Sequence, residues 1–145
     1  MIKILIIVFS LFSNAVFASD EKPGRYFEDQ PDVTDDYQIH FNYVLAKDSE
    51  DRELDINGKM EEIILMMNEW MEISTSKNKK SDGVSRKYKL DYRSDGKLDI
   101  TFVRLDKNFK QLHKWSNNDI TPFLYKKKGQ TNNKKMYFNF ADINS

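Results

Sequence analysis

The chain has 145 residues, balances 23 Lys+Arg against 23 Asp+Glu, and contains no cysteine. The missing cysteines exclude a disulfide framework, a Cys-based zinc knuckle and a thiol nucleophile, and a zero net charge is not the basic excess of a sequence-specific nucleic-acid binder. With 39% hydrophobic and 13% aromatic residues, the chain can build a core despite its 32% charged content, and its length suits one domain.

Residues 1–18 read as a cleaved signal peptide. Lys3 gives a positive start, Ile4 to Phe12 form an apolar run interrupted only by Ser10, and Val16 and Ala18 stand at the positions a signal peptidase reads. The apolar stretch is short for a bilayer crossing, so the expectation is an exported protein, periplasmic or extracellular, that is not an integral membrane protein after cleavage. No cysteine follows Ala18, which excludes lipoprotein attachment. Residues 19–36 carry Pro23, Gly24, Pro31 and seven acidic side chains, and read as an acidic flexible tether with Tyr26 and Phe27 as anchoring points. Residues 37–145 then form a single α/β domain.

Strict alternation begins at Tyr37. Ile39, Phe41, Tyr43 and Leu45 share one face of a strand, with Gln38, His40, Asn42 and Val44 on the other. A polar loop follows, and Met60, Ile63, Ile64, Met67, Trp70 and Met71 recur at helical spacing, predicting a helix over about 59–73 with Asn57 as its cap. Ser74 to Gly83 reads as a loop. Segments 86–92 and 98–105 alternate again. A three-residue Ser94-Asp95-Gly96 turn would set Tyr92 against Leu98, Leu90 against Ile100 and Tyr88 against Phe102, with Gly96 left-handed. A short helix through Phe109, Leu112 and His113 or Trp115 is expected after Asp106, which would cap it. Another near 121–127 would be capped by Asp119 with Pro122 in its first turn, and 136–140 would form a last strand. This order predicts an α/β or α+β fold, a small mixed sheet of about four strands with two or three covering helices.

Recognisable catalytic patterns are scarce. His40 and His113 lack a second histidine or cysteine at zinc-ligand spacing, no Gly-x-Ser-x-Gly elbow occurs, and five glycines build no phosphate loop. The 48–58 loop is the sequence's best metal candidate. Glu53, Asp55, Asn57 and Gly58 match the first half of a calcium loop, but Ile64 stands where a bidentate carboxylate is needed, and a solvated loop with a capping Asn57 is the preferred reading. The hairpin register also sets Asp91 across from Asp99. Like charges so placed repel unless compensated; Lys89, Arg93, Lys97 and Thr101 are near in sequence, and a bound cation or a raised carboxyl pKa are the functional alternatives.

Four stretches together carry a resemblance: Tyr37 to Val44, Asp51 to Gly58, Leu90-Asp91 ahead of Gly96 to Leu105, and Lys135 to Phe138. They resemble the N-terminal half of secreted bacterial proteins that look like zinc metallopeptidases. In such proteins the His-Glu-x-x-His helix would lie downstream of the last strand, so the resemblance implies a scaffold and carries over no metal ligand or catalytic residue. A truncated or split member, or a stand-alone binding domain, is the expectation.

Zero net charge conceals two opposed halves. Residues 19–72 hold five basic and sixteen acidic side chains, and 73–145 hold seventeen basic and seven acidic. Interleaving would neutralise them, whereas segregation would leave a basic face able to meet an anionic surface. The functional expectation is thus an exported, non-catalytic scaffold or binding domain with a protein or anionic-surface partner and no cofactor. A calcium- or carboxylate-dependent module or enzyme using the 48–58 loop and Asp91/Asp99, and polyanion binding through the Lys clusters at 77–80, 86–89, 126–128 and 134–135, are the alternatives.

Overall fold

Strand β1 (Gln38–Leu45) is buried on both faces along its whole length. The computed structural model describes residues 19–78, 80, 82–114 and 116–143; the signal peptide expected over 1–18 and the place of Trp115 in a short helix lie outside them. β1 is central because the sheet is three-stranded and parallel, ordered β2-β1-β3, with β2 at Ile100–Arg104 and β3 at Lys135–Ala141. Parallel neighbours need crossover connections. Helix α1 (Lys59–Lys77) lies between β1 and β2 in sequence, and α2 (Asn117–Lys127) between β2 and β3.

Alternation in β1 assigns the two helices to opposite faces. Ile39, Phe41, Tyr43 and Leu45 form one cluster with Met60 and Ile64 of α1 and with Leu90, Leu98, Ile100 and Phe102. Val44 packs on the other face with Val103, Leu105 and Ile120 and Leu124 of α2. Each fully buried large side chain here contributes about 1.5–3 kcal/mol through removal from water. Helix α2 is short and covers only the Val44 end of its face. Gln38, His40 and Asn42 lie towards the other end, buried but polar.

The expected four-strand mixed sheet is therefore a three-strand parallel one. Segment 86–92 does not become a strand: Leu90 makes a single parallel bridge to Ile39, and Tyr92 a single antiparallel bridge to Leu98. The expected turn is present at its base, with Gly96 at φ 80° and its N–H donating to the Arg93 carbonyl. Beyond that rung the arms diverge, because Ile100 pairs with Phe41 rather than with Leu90. Helix α1 runs past the expected end to Lys77, where Thr75 Oγ1 donates to the Met71 carbonyl. The N-cap residue is Gly58, at φ 83°, rather than the expected Asn57, which stands one residue earlier and accepts from Lys59 N–H. After β2, the first short helix is a 3₁₀ turn at Phe109–Gln111, capped by Asn108 rather than Asp106. α2 begins at Asn117, so Asp119 lies in its first turn and Pro122 beyond it.

Segment 19–36, expected as a tether, lies against the sheet. Tyr26 bridges to Thr101, the Phe27 ring meets Phe102 edge-on at 5.6 Å, and the Arg25 side chain is fully buried. Composition alone hid this because its acidic residues have basic partners far along the chain. Asp20 pairs with Arg104, Asp35 with Lys134, Asp36 with Lys89, and Asp29 with Lys135. The two charged halves are interleaved.

Candidate functional site

The polar end of the β1 face gathers side chains from five parts of the fold. His40 projects from the middle of β1, Thr101 from β2 beside it, and Lys135 from the start of β3. The corner at Gly96 brings Asp91 and Asp99 to the same place, and segment 19–36 lays Asp29 over them. His40, Asp91, Asp99 and Thr101 are all essentially inaccessible to solvent.

The imidazole is held at both nitrogens. His40 Nδ1 lies 2.9 Å from Asp91 Oδ2, and Nε2 lies 2.9 Å from Thr101 Oγ1. The same Nδ1 is 3.6 Å from Asp29 Oδ1 and 3.7 Å from Asp99 Oδ2. The Lys135 ammonium meets Asp91 Oδ2 at 2.7 Å, Asp29 Oδ1 at 2.5 Å and Asp32 Oδ1 at 2.6 Å. The Tyr137 ring closes the cluster edge-on to His40 at 5.5 Å.

These partners split the two facing carboxyls. Burial works against ionisation of Asp91, but bonds from His40 and Lys135 outweigh it and hold its pKa below the ordinary value. Burial pushes Asp99 up to about 6, with Asp91 and Asp29 adding repulsion, although Gln30 N–H donates to its Oδ2 at 2.7 Å. Asp99 Oδ1 is buried with no hydrogen-bond partner. Burial also disfavours the Lys135 cation, yet its carboxylates raise its pKa.

Asp91, His40 and Thr101 have the connectivity of a carboxylate–imidazole–hydroxyl relay. Thr101 is fully buried in β2, so no substrate carbonyl can reach its Oγ1. In this geometry the chain of bonds orients His40; it does not present a nucleophile.

The metal candidates of the 48–58 loop are engaged elsewhere. Asp55 gives both carboxylate oxygens to Arg25 at 2.8 Å, and Asp51 accepts from the same guanidinium at 2.6 and 3.1 Å. Glu53 pairs with Lys22, and Asn57 accepts from Lys59 N–H at the start of α1. Arg25 also stacks on the Phe102 ring, with the guanidinium carbon 3.9 Å from its centroid. The loop thus wraps a cation supplied by the protein. Among the described residues, the group whose ligand atoms all lie within 4.8 Å of one another is Asp29, His40, Asp91 and Asp99. His113 is on the surface, its Nδ1 2.9 Å from Asp119.

The sequence pairs Asp91 with Asp99 but names the wrong compensators. Lys89 goes to Asp36 and Arg93 to Asp95, while His40 and Lys135 bond the Asp91 member of the pair. Lys135 was accessible to reasoning, since its parity with Tyr137 and Asn139 puts it on the polar face of β3. Nothing in the pattern of 19–36 marks Asp29 over its acidic neighbours.

A second feature lies on the α1 face. Of the six apolar residues that define the helix in sequence, Met60 and Ile64 are buried, while Met67 is 56% and Trp70 68% exposed. Met67, Trp70 and Met71 line an apolar groove of 220 Å³ with Tyr88, Phe138 and Phe140. No helix among the described residues is long and apolar enough to cross a membrane. Comparison with protein-family models, curated proteins and solved structures finds no match to this chain.

Proposed function

We propose that the chain is an exported, non-catalytic scaffold that docks a polypeptide along β3 and the adjacent groove, and that the strand seated there is β3 of a second copy. The observation that carries this reading is the open edge of β3. It is an outer strand whose far side pairs with no strand among the described residues, and its Phe138 lines the groove and is 40% exposed. Outer strands normally carry charges or prolines that block pairing. From Met136 to Ala141 this one has neither.

β3 is also complementary to itself. Antiparallel pairing centred on Phe138 sets Met136 against Phe140, Tyr137 against Asn139, Lys135 against Ala141 and Lys134 against Asp142. Apolar residues then meet on one face, polar residues on the other, and opposite charges at both ends, as a twofold interface requires. A contiguous apolar surface rimmed by polar residues is the usual mark of such an interface. The buried relay supports the non-catalytic part, and the resemblance to an N-terminal scaffold is consistent with it.

Sedimentation velocity across a wide concentration range tests the proposal. A monomer–dimer equilibrium is expected, weakened at least tenfold by Phe138→Lys and by Met136→Lys, each with an unchanged circular-dichroism spectrum. A monomer at every concentration, or a dimer indifferent to both substitutions, overturns it.

A further inference from the structure

We propose that Asp29, His40, Asp91 and Asp99 form a binding site for a first-row divalent cation, Zn²⁺ or Mn²⁺, which fastens segment 19–36 to the sheet. The donors converge on one point: His40 Nδ1 has Asp91, Asp29 and Asp99 oxygens at 2.9, 3.6 and 3.7 Å. Donors about 2.0–2.1 Å from a tetrahedral metal are separated by edges of about 3.3 Å, so modest adjustment of these side chains would complete a coordination sphere.

Asp99 supplies a second, independent observation. Its carboxylate is essentially inaccessible to solvent: Oδ2, which accepts from Gln30 N–H, is the oxygen 3.7 Å from His40 Nδ1, and Oδ1 beside it has no hydrogen-bond partner. A buried carboxylate oxygen left in this state costs free energy that a metal–oxygen bond would recover. Charge points the same way, because the Lys135 ammonium is shared by Asp29, Asp91 and Asp32, and Asp99 is buried beside them.

The surroundings of His40 suit a ligand. With Nδ1 on the metal, Nε2–H donates to Thr101 Oγ1, the outer bond that commonly fixes a ligating imidazole. Binding replaces the Nδ1 proton, which leaves to solvent, and frees Lys135 from Asp91 and Asp29 towards Asp32 at the rim. Asp29 is the most exposed of the four ligands, which places the entry on the 19–36 side. An imidazole among carboxylates favours Zn²⁺ or Mn²⁺ over Ca²⁺ or Mg²⁺, which prefer oxygen alone.

Isothermal titration of the purified protein, stripped with EDTA and titrated with ZnCl₂, MnCl₂ and CaCl₂, tests the site, with melting temperature as a second readout. The expected result is one-to-one binding of Zn²⁺ or Mn²⁺ with proton release and a raised melting temperature, and much weaker binding of Ca²⁺. Asp99→Asn, which keeps shape and can still accept from Gln30, weakens binding about tenfold or more, and Lys135→Met, which removes the competing ammonium, tightens it. Two results overturn the proposal: no binding of either metal to the wild type or to Lys135→Met, or binding that Asp99→Asn leaves unchanged.

Discussion

Asp91 and Asp99 are joined by a backbone hydrogen bond, Asp99 N–H to the Asp91 carbonyl at 3.0 Å, and their side chains converge on one imidazole nitrogen. The corner at Gly96 forces this meeting of like charges. His40 and Lys135 make it tolerable on the Asp91 side, and Asp99 is left as the less favourable partner. One carboxyl is thereby held ionised while its neighbour is pushed towards protonation.

This split predicts an opposite pH dependence for the two residues in metal-free protein. Asp99 rises from 3.8 to about 6 on folding, so the folded state holds its proton more tightly than the unfolded chain. Its contribution is full below the unfolded value and lost as pH rises from about 4 to about 6. Asp91, held below its ordinary value, contributes at neutral pH and loses that contribution as pH falls below 3.8. Asp99→Asn should therefore stabilise the protein by on the order of 2 kcal/mol at pH 7 and by almost nothing at pH 4. Urea denaturation at the two pH values, with EDTA present, measures the difference; an equal effect at both would refute this account.

Arg25 shows how a segment of unpromising composition becomes part of the fold. Its guanidinium makes paired bonds to Asp51 and Asp55 while stacked on Phe102. Arg25→Met should cost about 3–5 kcal/mol, because it leaves two carboxylates without their cation and Asp55 is buried. Arg25→Lys should recover only part of that loss, since an ammonium cannot form both forks. Adding Asp51→Asn and Asp55→Asn to Arg25→Met should restore stability relative to the single variant. If the single variant melts like the wild type, the clamp is not holding segment 19–36.

The parts of this fold legible in the sequence are those with local causes. β1, β3 and the Gly96 turn follow from alternation and left-handed geometry. The parallel pairing of Ile39 with Leu90 and of Phe41 with Ile100 joins residues far apart in the chain, and alternation cannot distinguish it from a hairpin. The candidate site was half legible for the same reason: Asp91 and Asp99 are joined by a turn, whereas Asp29, His40 and Lys135 arrive by tertiary packing. Periodicity finds an amphipathic helix but does not say what covers it, and for α1 the sheet is too narrow to cover the whole face.

That last point separates two methionine-rich turns of one helix. Ile64→Ala in the buried part should cost about 2–5 kcal/mol, as deletion of a packed aliphatic side chain does. Trp70→Ala, which removes a larger side chain, should change the stability of the monomer by no more than about 0.5 kcal/mol because the residue lies on the surface. In a Trp115→Phe background, Trp70 fluorescence should be red-shifted and readily quenched by acrylamide at low concentration, and become protected as the concentration rises. Emission already blue-shifted and protected in the dilute monomer would place Trp70 in a core and remove the groove.

Gly96 offers the cleanest test of the corner itself. It stands at φ 80° with nothing within 4 Å of the position a β-carbon would take, so a side chain there meets backbone strain and no steric clash. Gly96→Ala should cost about 1–2 kcal/mol, the penalty for a left-handed L-residue, and Gly96→Asn less, because asparagine tolerates that region. The two variants should keep the same ranking at pH 4 and pH 7 if strain alone is involved. A larger loss for Gly96→Ala at pH 7 would show that the turn also sets how closely Asp99 is held against Asp91, since the repulsion between them is strongest when both are ionised.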